Sequence, residues 1–425
     1  MKKIIYLIVV LVFIGCQANA KVFTFTIENP QYKPIKIGLW GFDNPKKAKV
    51  IDDLLNTIRK DIKISGLFSL DESQHFSYEA PSSVVGGLGK VDGLDYVIYG
   101  NAFIKNNNAY LSVKMVDVAK GRVFGDKTYF SDSKSFEWIG NIVVDELIKY
   151  VTGIYGPFES KIIFSKGSGK IRDIYICDFN GNNVLRLTNW HTMNILPKWI
   201  NKKTISFLSY RYGKPSIFLF DLYAGKAERL FFDSDLSISA IRYDEDKFAI
   251  PFNRDGVVNI FVVNKKGKVL RNLTNSYGIN VSPSFTSDFS KMVFVSNRTA
   301  NPQIYMKSLD SFISTTQRLT YNGKYNSSPS VSPNDKKVAY ISINEGKTYL
   351  RVMNIDGTED KPIIAGYNLD SPSWSYDSRY VAVTAEFDGI KGIYIINTLN
   401  NHYSLATGDN NLYNGLSVSS KISKE

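Results

Sequence analysis

From Lys161 onward the apolar positions fall into short runs broken by Gly, Asn and Asp. That is the pattern of strands joined by tight turns, not of helices. One run, apolar–aromatic–apolar–apolar–Asp/Asn, recurs. It reads Ile174-Tyr175-Ile176-Cys177-Asp178, Ile217-Phe218-Leu219-Phe220-Asp221, Ile260-Phe261-Val262-Val263-Asn264 and Ile393-Tyr394-Ile395-Ile396-Asn397, with looser copies from Ile304 and Leu350. Taken in order, the six starts lie 43, 43, 44, 46 and 43 residues apart. Chance does not hold that register.

Two further elements keep the same phase. A Pro-x-aromatic strand or a variant precedes each run: Pro197-Lys198-Trp199, Ala240-Ile241-Arg242, Pro283-Ser284-Phe285, Pro329-Ser330-Val331 and Pro372-Ser373-Trp374. A Leu-Thr element follows, as in Leu187-Thr188, Leu273-Thr274 and Leu319-Thr320. Turn pairs such as Asn180-Gly181, Lys266-Gly267 and Asp356-Gly357 mark hairpins between them. Each unit is thus four short antiparallel strands, which at this repeat length is a propeller blade. The expectation is an all-β six-bladed β-propeller over 156–425. The first unit, Lys161-Ile162-Ile163-Phe164, lacks a Pro-x-aromatic strand, and the repeat spacing counted from Pro372 lands on Gly415. The C-terminal strand is therefore expected to close blade one and to hide the edges of an open array.

Residues 34–155 show no such repeat and read as a small α/β domain. Ile35–Trp40, Tyr96–Tyr99 and Leu111–Val116 look like strands. Ile51, Leu54, Leu55, Ile58 and Ile62 recur at helical spacing, as do Phe136, Ile139, Val143, Leu147 and Val151. Ahead lies a strand and linker, 21–33, in which Val22, Phe23, Thr24, Phe25, Thr26 and Ile27 alternate. Such a strand either docks on another protein's sheet edge or forms an edge of its own domain.

Residues 1–20 read as a leader. Lys2 and Lys3 precede the apolar run Ile4–Ile14, and Ala18-Asn19-Ala20 gives a small-x-small cleavage pattern, so cleavage between Ala20 and Lys21 is expected. Phe13-Ile14-Gly15-Cys16 offers the competing reading, lipidation of Cys16. Cleavage leaves Cys177 alone, so no intramolecular disulfide forms, and its apolar run makes it a buried small hydrophobe. The net charge of +12 is spread over scattered lysines and arginines. It is accounted for by a Lys-rich composition or by an acidic protein partner.

An exported chain with an N-terminal α/β domain followed by these blades resembles the TolB family, the periplasmic propellers of the Tol–Pal system. The Gly66-Leu67-Phe68 helix exit and Val151-Thr152-Gly153-Ile154 at the domain junction add to the likeness. The resemblance implies a periplasmic adaptor that supports outer-membrane integrity and envelope constriction at cell division. The N-terminal strand, Val22–Ile27, would bind a TolA-type inner-membrane protein. The peptidoglycan-associated lipoprotein Pal would bind loops before the inner strands: Met193 and Asn194; Leu236, Ser237 and Ser239; Asn280, Val281 and Ser282; Asn326, Ser327 and Ser328; Leu369, Asp370 and Ser371. The chain would be a monomer peripheral to membranes, binding no nucleic acid and carrying no cofactor or metal. A peptidoglycan- or sugar-binding propeller is the alternative.

An enzyme reading finds little to stand on. Propeller hydrolases of the prolyl-oligopeptidase type share the blade motif but need a Gly-x-Ser-x-Gly elbow on an added domain, and none occurs. The three histidines, His75, His191 and His402, have no partner at ligand spacing and read as exposed loop residues. Gly86-Gly87-Leu88-Gly89 precedes no helix and reads as a loop, not a phosphate cradle.

Overall fold

The computed structural model describes residues 25–26, 32–40, 42, 49–72, 93–106, 108–132, 136–230, 240–244, 246–254, 256–310 and 315–422. Two bodies meet near Gly156, where one apolar cluster runs from Ile37, Leu54 and Val143 to Ile162, Tyr380 and Leu416.

The N-terminal body is a five-stranded sheet in the spatial order Phe68–Asp71, Ile35–Trp40, Tyr96–Lys105, Asn108–Asp117, Arg122–Asp132. Ile35–Trp40 pairs in parallel with both neighbours, and the other pairs are antiparallel. Two helices cover the sheet, α1 (Lys49–Ser65) and α2 (Glu137–Thr152). Their apolar stripes are the ones the helical spacing marks: Ile51, Leu54, Leu55, Ile58 and Ile62 on α1, and Ile139, Val143 and Leu147 on α2, are all buried. The outer strand Arg122–Asp132, mostly exposed, has no apolar alternation to betray it in the sequence. Gly153, at φ 82°, ends α2 and donates its N–H to Lys149 O at 2.7 Å, a left-handed cap that turns the chain toward the second body.

The second body is a β-propeller. Unit one joins Leu412–Val418, Lys161–Ser168, Ile171–Asp178 and Leu185–Arg186, so the C-terminal segment pairs antiparallel with the first strand of the repeat region. Units two (Asn194–Trp199 to Lys226–Leu230), three (Ile241–Asp244 to Val269–Asn272) and four (Asn280–Phe285 to Thr316–Arg318) are separate four-stranded antiparallel sheets. Units five and six share one long strand, Lys361–Trp374, which ends the set begun by Tyr325–Val331 and begins the set finished by Tyr403–Asp409. The middle strands read as continuous buried runs because neighbouring sheets cover both of their faces; Tyr380–Phe387 is an example.

Side chains stitch unit to unit. The indole N–H of Trp199 donates to Ser417 O at 3.0 Å, joining unit two to unit one, and that of Trp374 to Ser330 O at 2.9 Å, joining six to five. The Val331 N–H donates to Ser284 Oγ at 2.9 Å and the Val418 N–H to Ser373 Oγ at 3.0 Å, linking five to four and one to six. These contacts explain the tryptophans of Pro-x-aromatic: the ring fills the seam while the indole N–H finds a carbonyl.

The two bodies meet through the turns at one end of the strands. Asn397 and Asn400 donate to the carbonyls of Ser65 and Gly66, and Arg379 reaches Thr152 Oγ1, Ile154 O and Tyr155 O. His402 is part of this seam. Its Nε2 lies 3.0 Å from Lys63 O, so it is a half-buried junction residue and not the exposed loop residue its position after a blade turn implies. His191 is exposed, and His75 lies outside the described residues. Cys177 is buried as expected, and burial pushes its thiol far up.

Candidate binding face

Hairpins between the second and third strands of each unit, with the loops that enter the inner strands, lie at the end of the propeller opposite the N-terminal body. That end is uncovered by the rest of the described chain. It carries the sequence-predicted rim, and the structure sorts those residues into two groups.

The first group is structural. Asn194, Asn280 and Asn326 are fully buried; the first two open their inner strands and Asn326 is second in its own. In three seams, between units one and two, three and four, and four and five, the same lock appears. Thr188 Oγ1 donates to Asp173 Oδ1 at 2.7 Å, and Asn194 Nδ2 donates to that oxygen at 3.1 Å. Thr274 and Asn280 meet Asn259 Oδ1 at 2.6 and 3.2 Å. Thr320 and Asn326 meet Gln303 Oε1 at 2.7 and 2.8 Å. Each threonine hydroxyl also accepts the next strand's N–H, from Ile174, Ile260 or Ile304. The Leu-Thr motif is thus an inter-unit clasp. The side chains of its asparagines are spent in the clasp. Leu369, 3% exposed, belongs to the core between units five and six.

The second group faces the opening. Met193, Val281, Ser282, Ser327, Ser328, Asp370 and Ser371 are half-buried. Five of the inner strands carry a bulge here, and one residue in each adopts a left-handed φ: Leu196 55°, Ser282 51°, Ser328 52° and Ser371 53°, each just before a proline, and Gly415 57°. A repeated bulge bends the strand and re-aims its side chains at the mouth. Leu196 bears the strain of that conformation without the relief glycine gives at 415. Lys198 lies beyond Leu196; desolvation lowers its ammonium's pKa, and the charge of Asp370 on unit six partly restores it. Leu236, Ser237 and Ser239 lie outside the described residues.

Aromatic residues that the sequence reading passed over dominate the exposed rim. Tyr277 is 90% and Tyr321 74% exposed, with Tyr212, Tyr325 and Tyr367 also standing out of the surface. Tyr277 borders a depression of about 670 Å³ beside Arg254, Asn275 and Phe261. Arg298 stands between them and the core, 4.8 Å from the Tyr305 ring and 3.2 Å from Asn280 Oδ1. Protruding tyrosines among arginines, on loops held by a packed scaffold, make a surface suited to protein recognition. Among the described residues no three His, Cys, Asp or Glu side chains gather as metal ligands.

Of the N-terminal strand, Phe25–Thr26 is described. It pairs antiparallel with the last strand of unit five, Phe25 opposite Ala365 and Thr26 opposite Ile364. The strand therefore sits on the propeller's outer edge, not in a sheet of the N-terminal body. Val22, Phe23, Thr24 and Ile27, with the cleavage site Ala20–Lys21, lie outside the described residues. Among the described residues no helix is long and apolar enough to cross a membrane.

The family model for the TolB beta propeller domain matches residues 148–411. A TolB homolog of Chlorobium chlorochromatii is 29% identical over 56% of this chain and 51% of its own length, and one of Chlorobium luteolum is 28% identical over 60% of each. The chain thus spans little more than half of those relatives. The Tol-Pal system protein TolB of Bordetella pertussis is 24% identical over 77% of this chain and 85% of that one. The crystal structure of TolB from Acinetobacter baumannii superposes with a TM-score of 0.77 at 19% identity, covering 94% of this chain and 100% of that chain, a likeness of fold.

Proposed function

The chain belongs to the TolB β-propeller family, and from that footing we propose that it is a periplasmic adaptor of a Tol–Pal cell-envelope system and not an enzyme. In this reading a six-bladed ring, closed by its own tail, presents its tyrosine rim to the lipoprotein Pal. The N-terminal strand, Val22–Ile27, engages a TolA-type inner-membrane protein. Joining the two, the chain supports outer-membrane integrity and constriction at division. Export by a cleaved leader would bring it to the periplasm.

The observation that carries the reading is the position of the rim. The end of the propeller with Tyr277 and Tyr321 faces away from the N-terminal body, so a partner can dock without displacing any of the described chain. The strand supports the other half: Phe25–Thr26 is held by a two-residue ladder, a contact that a competing sheet edge can replace.

Photo-crosslinking in intact cells tests both halves. A crosslinker at Tyr321 is expected to trap an outer-membrane lipoprotein, and one at Phe25 an inner-membrane protein. Capture of wall glycan alone at Tyr321 would favour the sugar-binding alternative and overturn the adaptor reading.

A further inference from the structure

We propose that the cleft between units six and one is a socket for an acidic side chain of a docked protein; this deepens the reading above, on which a protein occupies the rim. The cleft, about 250 Å³, is lined among others by Arg172, Asp370, Glu386, Lys391, Tyr413 and Asn414. It opens where the inter-unit clasp fails. Gly392 precedes Ile393 where Asp173, Asn259 and Gln303 precede the matching isoleucines, and Tyr413 takes the place of the inner-strand asparagine. No amide bridges the seam, and space is left.

Two polar atoms at this cleft are buried without a hydrogen-bond partner in the chain, Arg172 Nε and Asn414 Oδ1. Native proteins leave few such groups, and each asks for an explanation. The acids of the cleft are engaged: Asp370 accepts from Ser328 Oγ at 3.0 Å and Ser371 Oγ at 3.3 Å, and Glu386 from Asn368 Nδ2 at 3.4 Å. The cations are not, since neither Arg172 nor Lys391 enters a salt bridge among the described residues. An incoming carboxylate therefore meets two cations that no acid of the described chain pairs with, and an unclaimed N–H donor. The volume falls below the roughly 300–1,000 Å³ of pockets that enclose a whole small molecule, so the occupant is a side chain with its backbone. Its carboxylate accepts from Arg172 Nε–H, and an adjoining peptide N–H donates to Asn414 Oδ1. Leu412 and Tyr367, both partly exposed, border the rim on either side.

Saturation-transfer NMR on the full mature chain decides the point, with acetyl-Asp-methylamide and acetyl-Glu-methylamide as probes and acetyl-Asn-methylamide as control. The acids are expected to bind and the amide not. Arg172→Gln is expected to weaken the acids at least about tenfold, and Tyr223→Ala, at the opposite end of the propeller, to leave them unchanged. Arg172→Lys keeps the charge without the Nε–H, guards against a folding defect, and is also expected to weaken binding. Equal binding of acid and amide, or indifference to both Arg172 variants, overturns the socket. A parallel titration with the soluble domain of Pal separates the two ideas. Loss on Tyr277→Ala but not on Arg172→Gln removes the socket and leaves the docking face. No Pal binding by the unaltered chain removes the docking reading, while the capped amino acids still settle the socket.

Discussion

Asn180, in a turn of unit one, donates its side-chain amide to the Asp61 carboxylate of α1 at 2.6 Å, and both residues are sealed from solvent. The same amide lies 3.2 Å from Asn141 Oδ1, while the second Asp61 oxygen has no partner in the chain. Burial pushes the Asp61 carboxyl well above its usual range; Asp145 and Asp178 add repulsion, and the Asn180 bond and Lys60 pull the other way. The folded chain thus holds this proton more tightly than the unfolded chain, where an Asp titrates near about 3.9. Its contribution to stability falls as pH rises from about 4 through the raised value. Asp61→Asn removes the titration yet keeps an oxygen for Asn180. Calorimetry is expected to show the variant melting above the parent at pH 7.5, with the gap closing toward pH 4. A variant that melts lower at pH 7.5 would contradict this account of the junction.

The clasp of Thr320, Gln303 and Asn326 makes a second prediction. Asn326→Ala strips a buried acceptor of one partner and removes the tie from Asn326 Nδ2 to Asn322 O at 2.8 Å. The expected loss in urea unfolding is about 1–3 kcal/mol. Ser327→Ala, one residue away and half-buried at the mouth, should stay within about 0.5 kcal/mol of the parent. Equal costs at the two positions would mean that the side chain of Asn326 does not carry the lock.

These clasps also show how far the sequence speaks for the structure. The threonines were visible, because Leu187-Thr188, Leu273-Thr274 and Leu319-Thr320 repeat as a pair. Their acceptors were not, because Asp173, Asn259 and Gln303 share a geometry but not a residue type. The asparagines read as loop residues because each lies just ahead of a Pro-x-aromatic strand or its variant, in the segment between two strands. Burial there comes from the neighbouring unit, which no local pattern encodes. The rim tyrosines were hidden for the opposite reason. Tyr and Phe fill so many core strands that Tyr277 and Tyr321 pass for more of the same, and their position at strand ends is what turns them outward. His402 contacts a carbonyl 339 residues earlier in the chain, a distance over which no spacing rule reaches.

Truncation after Asn414 tests the role of the tail. It removes Leu416, which is fully buried, the Ser417 carbonyl that accepts from Trp199, and the Val418 N–H that donates to Ser373. Unit one would lose most of its inner strand, and units two and six a contact each. Burying one leucine is worth about 1.5–3 kcal/mol, so a loss of at least about 3 kcal/mol is expected with the hydrogen bonds included. An unchanged denaturation midpoint would mean the ring holds without this strand.

Tyr277 and Tyr321 give the sharpest test of the docking face, because stability and binding should come apart there. Both rings are mostly in solvent, so cutting either back to alanine removes little buried area. Surface changes of that kind stay within about 0.5 kcal/mol of the parent. Binding energy, by contrast, concentrates in a few aromatic and arginine anchors, each costing more than about 1 kcal/mol when truncated. Titration of the soluble Pal domain against Tyr277→Ala and Tyr321→Ala is expected to show affinities roughly tenfold weaker, a difference of about 1.4 kcal/mol, with melting temperatures unmoved. Tyr223, 75% exposed, follows the third strand of unit two and so lies at the end that meets the N-terminal body. Tyr223→Ala is therefore the matched control and should bind as the parent does. If all three variants weaken binding alike, the contact is spread over the propeller rather than set on the rim, and the face assigned here is wrong.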